Sequence, residues 1–213
     1  MAAIAPVHEA ILVHPFVRGL ADGSLPGDAF ERYVVQDALF LRDYGRALAI
    51  CGARAADTTD LRMFCAHAAE AIDVERALHD RLMGELGLDA AAAASAEPTP
   101  ACAGYGSFLL RACALGERHE MLAAVLPCYW IYREVGRALE REGSPDPRYR
   151  AWIATYAGDE FAAAAEAAIA ACDRGLAGLP RERLASAERH ALTAARYEWM
   201  FWDSAWRDER WGP

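Results

Sequence analysis

Apolar residues recur at helical spacing along almost the whole of this 213-residue chain. No stretch alternates polar and apolar residues as a half-buried strand does, and threonine, valine and isoleucine are sparse. Glycine and proline interrupt the helical pattern, but no break is long or polar enough to be a linker between domains. The sequence therefore predicts a single all-α domain over residues 1–213, a bundle of about seven helices. The predicted helices cover residues 7–21, 27–55, 58–86, 100–114, 117–141, 148–176 and 181–210.

The charge and composition argue against several functions. A net charge of −9 with no basic stripe is unsuited to binding nucleic acid. No apolar run reaches the ~18 residues of a membrane span, and residues 1–6 lack the basic and apolar regions of a signal peptide. The chain has no lysine, which excludes a lysine Schiff base. Its six cysteines follow no zinc-binding spacing, so we expect a cytoplasmic protein with reduced thiols.

Two carboxylates stand where the helical pattern places apolar residues. Asp37 lies on the apolar face of the second predicted helix, and Glu198 lies on that of the last, among aromatic residues. Burying a carboxylate is costly unless it is paired or hydrogen-bonded, so each could be structural, capping a helix or pairing with an arginine. In an apolar wall the pKa of Glu198 would rise, which suits a proton donor.

A cysteine, Cys128, follows Pro127 and shares a helical face with Tyr132. A thiol just after a proline, at the head of a helix, is more easily converted into the reactive thiolate. A free cysteine is also a common core residue, and the aromatic stripe that includes Tyr156 on the next helix is equally typical of a core. Taken together, the four helical faces predict one cavity suited to a flat heteroaromatic ligand.

A series of short motifs runs through the whole chain: His14-Pro15-Phe16-Val17, Asp22-Gly23-Ser24-Leu25-Pro26, Phe30 to Tyr44, Tyr105, Cys128 to Tyr132, Trp152 to Tyr156, and Glu198 to Asp203. Their sequence and order resemble the TenA (thiaminase II) family. The resemblance implies a helical bundle like that of haem oxygenase, assembled as a homotetramer. It implies hydrolysis of a small aminopyrimidine, either thiamin or 4-amino-5-aminomethyl-2-methylpyrimidine, to the hydroxymethyl pyrimidine used in thiamin salvage. It implies neither a metal nor an organic cofactor.

The resemblance also implies roles for particular residues. Cys128 matches the nucleophile that adds to the pyrimidine ring, and Glu198 matches the acid that protonates the ring or the leaving group. Asp37 matches the carboxylate that holds the aminopyrimidine edge. The positions that match further substrate contacts are Tyr132, Tyr156, Tyr105 and the ring-stacking Phe201.

One position departs from the family pattern. Three residues after the family's aspartate there is often a tyrosine that is thought to assist the thiol, and Phe40 stands here instead. Phe40 retains an aromatic wall for the substrate but has no hydroxyl. The sequence therefore leaves open which group activates Cys128.

Three other functions are compatible with parts of the sequence. His67, Glu70 and Asp73 have helical spacing that a di-iron oxidase could use, but no second cluster of histidine and carboxylates accompanies them. A haem protein would need a proximal histidine in the first helix, and His14 is the candidate, but His14-Pro15 is more typical of a helix break or a helix start. A non-catalytic pyrimidine sensor or regulator would need Asp37 and the tyrosines, but not a nucleophile together with an acid.

Overall fold

The structure, a computed structural model, describes the backbone of residues 2–86 and 96–213 and the side chains of residues 3–73 and 96–213. Within these ranges the regular structure is helical and no strand is present, so the predicted all-α bundle is confirmed. None of the described helices is long and apolar enough to cross a membrane. After a short 3₁₀ turn at Ala2–Ile4, the helices are α1 Ala5–Leu12, α2 Pro15–Asp22, α3 Gly27–Ala53, α4 Thr58–Leu86, α5 Pro100–Leu115, α6 Arg118–Glu142, α7 Pro147–Ala157, α8 Asp159–Leu176 and α9 Arg181–Arg207.

Two of the predicted helices are each divided in two. The prediction of one helix over 7–21 is wrong because the chain breaks at His14, whose Nδ1 accepts a hydrogen bond from the Phe16 amide at 3.2 Å and so caps α2. The prediction of one helix over 148–176 is wrong because Gly158 is extended, with φ −66° and ψ 155°, and separates α7 from α8. Both breaks reorient short helices against the same core.

The helix α6 occupies the centre of the bundle and packs against α5, α7, α8 and α9. It begins at a capping box in which Glu117 and Glu120 exchange side-chain and backbone hydrogen bonds. Pro127 lies inside α6 without ending it, so Cys128 is near the middle of this helix. The expectation that Cys128 stands at the head of a helix is therefore wrong. The favourable field of a helix start fades within the first turn and does not reach this thiol.

Close contact between α6 and α7 depends on Gly136. A Cβ atom built at this position would lie 2.6 Å from the backbone carbon of Tyr156, so only glycine allows the two helices to approach so closely. The contact brings Tyr156 beside Tyr132, with ring centroids 4.7 Å apart. The register of α7 thereby fixes one wall of the cavity described below.

A buried ion pair fastens α4 to the same central helix. Asp60 is buried, and its two carboxylate oxygens lie 3.1 Å from Arg118 of α6 and 2.5 Å from Arg174 of α8. Each oxygen has its own guanidinium partner, which offsets the cost of burying the charge. The wall that α4 contributes to the cavity is therefore anchored at the start of that helix.

Candidate active site

A cavity of about 700 Å³ lies between α3, α4, α6, α7 and α8. Five of the residues predicted from the sequence line it: Asp37, Phe40, Cys128, Tyr132 and Tyr156. They come from helices that are distant in the sequence, and they meet because each occupies the core-facing side of its helix. The volume lies within the ~300–1,000 Å³ typical of sites for small organic molecules.

The three other predicted residues are buried behind this lining. Tyr105 packs face to face on Phe40 with ring centroids 4.7 Å apart, and Phe201 lies 5.6 Å from Phe40. Glu198 is 1% exposed and is hydrogen-bonded to Cys128. Glu198 therefore does not line the cavity itself but contacts Cys128, which does. Phe201 lies behind Phe40 and would need to move to stack on a bound ring.

The Cys128 thiol is held in its protonated form. Burial is the main reason that its pKa is raised well above the ordinary value, and the nearby carboxyl of Glu198 raises it further. The neighbouring Tyr44 hydroxyl, which donates to the Val125 carbonyl oxygen at 3.2 Å, lowers the pKa of the thiol and so acts in the opposite direction. A resting thiol rather than a thiolate follows from this environment at neutral pH.

Glu198 is also held in its neutral form. Burial raises the pKa of this carboxyl to about 8, although the Tyr105 hydroxyl donates to its Oε1 at 2.6 Å and favours the ionised state. The charge of Asp37 raises this pKa as well. At pH 7 Glu198 is therefore mostly a carboxylic acid, and a proton donor is in contact with the candidate nucleophile.

The second carboxylate, Asp37, lines the cavity from α3 and is 6% exposed. Burial raises the pKa of the Tyr156 hydroxyl, and the charge of Asp37 is the next largest cause. Burial and then Asp37 likewise raise the pKa of Tyr33, whose hydroxyl lies 3.2 Å from that of Tyr132. A carboxylate therefore faces a wall of neutral tyrosines across the cavity, an arrangement that can bind donors on the edge of a ring.

Sequence reasoning missed several lining residues, of which Tyr44 is the most important. Tyr44 fits the apolar pattern of its helix, but it also lines the cavity and its hydroxyl lies beside Cys128. Its spacing of one helical turn from Phe40 was the available signal. His67, Glu70 and Glu160 also line the cavity. The sequence marked His67 and Glu70 only as candidate metal ligands, and Glu160 gave no signal.

The geometry of the described residues favours neither a di-iron site nor a haem site. Across the side chains that the structure describes, no group of three or more histidine, cysteine, aspartate or glutamate residues could hold a metal ion. His67 instead has its Nδ1 3.0 Å from the Tyr129 hydroxyl. His14 uses Nδ1 to cap α2, and its Nε2 lies 3.3 Å from Asp203. Both ring nitrogens of the candidate haem ligand are therefore occupied by the protein itself.

Comparisons with known proteins agree over the whole chain. The model of the TENA/THI-4/PQQC family matches residues 1–208. An aminopyrimidine aminohydrolase of Bacillus subtilis (strain 168) is 34% identical over 210 residues, covering 99% of this chain and 89% of that protein. The solved structure of a TenA homologue from P. horikoshii OT3 has a TM-score of 0.88 at 28% identity, covering 97% of this chain and 95% of its own.

A more distant solved structure bears on the fold alone. A domain of unknown function with a haem oxygenase-like fold, from Shewanella denitrificans OS217, superposes with a TM-score of 0.75 at 18% identity. The match covers 96% of this chain and 89% of that domain. The haem oxygenase-like bundle expected from the sequence is therefore confirmed.

Replacement of Tyr44 with phenylalanine tests its contact with the thiol. Because the interaction with the Tyr44 hydroxyl favours the thiolate, Tyr44→Phe should raise the pKa of Cys128 further. The measurement is the pH dependence of alkylation of Cys128 by iodoacetamide. Tyr197→Phe removes a hydroxyl elsewhere in the aromatic wall and serves as the control. An unchanged alkylation profile in Tyr44→Phe would contradict the assignment.

Proposed function

The chain belongs to the TENA/THI-4/PQQC family, and from that premise we propose that it is an aminopyrimidine aminohydrolase. Its proposed substrate is 4-amino-5-aminomethyl-2-methylpyrimidine, with thiamin as a second substrate, and its proposed product is the hydroxymethyl pyrimidine. One observation above all supports the proposal. A buried thiol, Cys128, is hydrogen-bonded to a neutral buried acid, Glu198, at the side of an aromatic cavity.

The cavity offers complementary groups for an aminopyrimidine. The ring is flat and apolar on its faces, and Tyr132 and Tyr156 supply an aromatic wall with ring centroids 4.7 Å apart. Asp37 is an acceptor for the exocyclic amine and for a protonated ring nitrogen. Stacking fixes the plane of the ring and the carboxylate fixes its rotation within that plane, which would present a ring carbon to the sulfur of Cys128.

The proposed chemistry begins with addition of the thiol to the ring. A bond forms between the Cys128 sulfur and a ring carbon, a ring nitrogen gains a proton, and the thiol loses one. The bond from the methylene to its amine then breaks, and the amine leaves with the electron pair. Water adds to the methylene carbon and loses a proton, and the sulfur leaves the ring. The net reaction consumes one water and releases ammonia and the hydroxymethyl pyrimidine.

The shared position of the two neutral groups suggests how the thiol becomes reactive. A free thiolate next to a carboxylate would be costly in this buried wall, since burial and Glu198 both raise the pKa of Cys128. We infer that Glu198 gives its proton to the ring nitrogen while it accepts the proton of Cys128. Cys128 therefore becomes a thiolate only when a bound substrate accepts a proton from Glu198. Tyr105 holds the Glu198 carboxyl in place and Tyr44 supports the developing thiolate.

We also propose that the protein is cytoplasmic. All six cysteines are free, although the sulfurs of Cys51 and Cys113 lie only 3.7 Å apart. Free thiols are typical of proteins that work in a reducing compartment.

A homotetramer is the proposed assembly. Large apolar side chains remain exposed on one chain, including Val13 at 72% and Leu115 at 78%. Assembly would remove such groups from water. We expect light scattering to give about four times the mass of a single chain, and the mass of a monomer would contradict the proposal.

Substitution of the nucleophile separates chemistry from binding. Cys128→Ser should lower kcat on the aminomethylpyrimidine by at least about a thousandfold, yet change the Kd of the hydroxymethyl product by less than about tenfold, because the sulfur acts in the transition state. Cys172→Ser, another buried cysteine, is the control. If Cys128→Ser weakened product binding as much as it lowered the rate, the cysteine would be a binding residue of a sensor rather than a nucleophile.

Substitution of the acid should change two pH profiles. The acid form of Glu198 is required, so kcat/KM should fall as the pH rises through about 8, and Glu198→Gln should lower the rate and remove this limb. The raised pKa also means that Glu198 stabilises the fold fully below pH 4.5 and loses that contribution as the pH rises to about 8. The free energy of unfolding of Glu198→Gln relative to wild type should change over this range by up to about 5 kcal/mol. Identical profiles for the two proteins would exclude Glu198 as the acid.

A further inference from the structure

Behind the cavity wall, the buried side chain of Tyr33 connects the helix that carries Asp37 to the helix that carries Cys128. Tyr33 lies on α3 one helical turn before Asp37, is 1% exposed, and is not among the described residues that line the cavity. Its hydroxyl oxygen lies 3.2 Å from that of Tyr132, which does line the cavity from α6. Tyr33 therefore reaches the proposed binding site through another side chain.

Three aromatic rings hold the side chain of Tyr33 in one place. Its ring is stacked on that of Trp202 of α9, with centroids 5.1 Å apart and an interplanar angle of 4°. Phe201 meets the same ring edge-on, with centroids 5.8 Å apart and an angle of 86°, and the ring of Phe16 on α2 lies 5.3 Å away. A ring packed on several sides cannot swing without moving its neighbours. The Tyr33 oxygen is thus a fixed point to which the Tyr132 hydroxyl is hydrogen-bonded.

Both hydroxyls are neutral, which decides what the pair can offer to a ligand. Burial is the main reason that the pKa values of Tyr33 and Tyr132 are raised well above the ordinary value for tyrosine. Two neutral hydroxyls carry two protons, and the bond between them uses one. If Tyr33 donates, Tyr132 keeps its proton for an acceptor in the cavity, and if Tyr132 donates, its oxygen keeps a lone pair for a donor. Tyr132 can therefore bind either kind of group on a ring edge while its oxygen stays in one place.

The hydroxyl pair and Asp37 belong to one polar edge of the cavity. After burial, the charge of Asp37 is the largest cause of the raised pKa of Tyr33. Asp37 and Tyr132 both line the cavity, and Tyr33 is one helical turn from the first and in hydrogen-bond contact with the second. The position of the Tyr132 hydroxyl relative to the carboxylate is therefore set through Tyr33.

We propose that Tyr33 is a positioning residue of the pyrimidine site, which holds the Tyr132 hydroxyl in register with Asp37 so that the two groups engage the edge of the ring together. The inference rests on the proposed function and adds to it a residue that acts without touching the ligand. Contacts to the ring edge are made in the ground state and kept in the transition state. Loss of the Tyr33 hydroxyl should therefore raise KM and leave kcat nearly unchanged.

Tyr33→Phe tests this assignment because it removes the hydroxyl and keeps the packed ring. The Kd of the hydroxymethyl pyrimidine, measured by calorimetry, should rise about fivefold, the effect of one ordinary hydrogen bond. The KM for the aminomethylpyrimidine should rise by a similar factor while kcat stays within about twofold. An unchanged Kd, or a fall in kcat with an unchanged KM, would overturn the proposal.

Tyr149→Phe is the matched control. The Tyr149 side chain is buried on α7, and its hydroxyl donates to the Leu25 carbonyl oxygen at 2.8 Å, away from the residues that line the cavity. This variant loses a buried hydrogen bond of the same kind, so it should leave the Kd of the hydroxymethyl pyrimidine within about twofold of the wild-type value. A rise as large as that in Tyr33→Phe would indicate a general loosening of the fold and would overturn the positioning role.

A double-mutant cycle shows whether Tyr33 acts through Tyr132. In the Tyr132→Phe background the hydroxyl that Tyr33 holds is absent, so the further change Tyr33→Phe should alter the Kd of the hydroxymethyl pyrimidine by less than about twofold. A second fivefold loss in this background would mean that the two side chains act independently, which is contrary to the proposal.

The binding measurement keeps this test separate from that of the proposed function. Absence of aminomethylpyrimidine hydrolysis by the wild-type protein would refute the proposed function, and the Kd of the hydroxymethyl pyrimidine would still decide the role of Tyr33. Normal hydrolysis together with equal Kd values for Tyr33→Phe and wild type would leave the function standing and overturn the positioning role. Absence of hydroxymethyl pyrimidine binding to the wild-type protein would overturn that role as well.

Discussion

The hydrogen bond between Cys128 and Glu198 is the interaction on which the rest of the site depends. Both groups are buried on an aromatic wall, and burial is the largest cause of the raised pKa of each. Their neutral state costs the fold little, because no isolated charge is left in an apolar medium. The same neutrality makes the pair a store of two protons that can be redistributed only when a ligand supplies a basic nitrogen. Stability in the resting state and reactivity in the bound state thus have one physical origin.

The helix packing around this pair explains why a polar site can exist in such an apolar core. Tyr105 of α5 donates to Glu198 of α9, and the Tyr44 hydroxyl of α3 lies beside Cys128 of α6, so four helices meet around the two polar groups. Gly136 lets α7 approach α6 closely and place Tyr156 over the opposite wall. The break at Gly158 then turns the chain so that α8 begins at the mouth of the cavity. A continuous helix would not reorient the chain at this point.

Helical periodicity was sufficient to predict the fold and the two inward carboxylates. Asp37 and Glu198 occupy positions that helical periodicity assigns to apolar residues. A carboxylate at such a position indicates a buried polar group before the tertiary structure is known. The break at Gly158 was missed because an isolated glycine inside a helical pattern is often tolerated. At His14-Pro15 the sequence did indicate a helix start, although the predicted helix was continued across it to residue 21. The position of Cys128 within α6 was misjudged from Pro127, although a capping box at Glu117 marks the true start.

Other residues could not be assigned from the sequence for a different reason. Tyr44 satisfies the apolar pattern of its helix, and only the approach of α6 shows that its hydroxyl faces a thiol. Glu70 and Glu160 have the appearance of ordinary solvent-exposed glutamates, because a period assigns a residue to a face and does not reveal that two faces border one cavity. The sequence reveals Asp37 and Glu198 because they are polar residues at positions where the helical pattern calls for apolar ones. Glu70 and Glu160 stand at positions where the pattern calls for polar residues, so nothing distinguishes them as cavity residues.

The contrast between the two ends of the cavity follows from solvent exposure. At the inner end, desolvation keeps Glu198 neutral, so it can act as an acid but cannot attract a cation. At the outer end, Glu70 and Glu160 line the mouth of the cavity and are exposed to water. Depth in the cavity therefore matters more than residue type. Burial gives Glu198 the raised pKa that keeps a proton available beside Cys128.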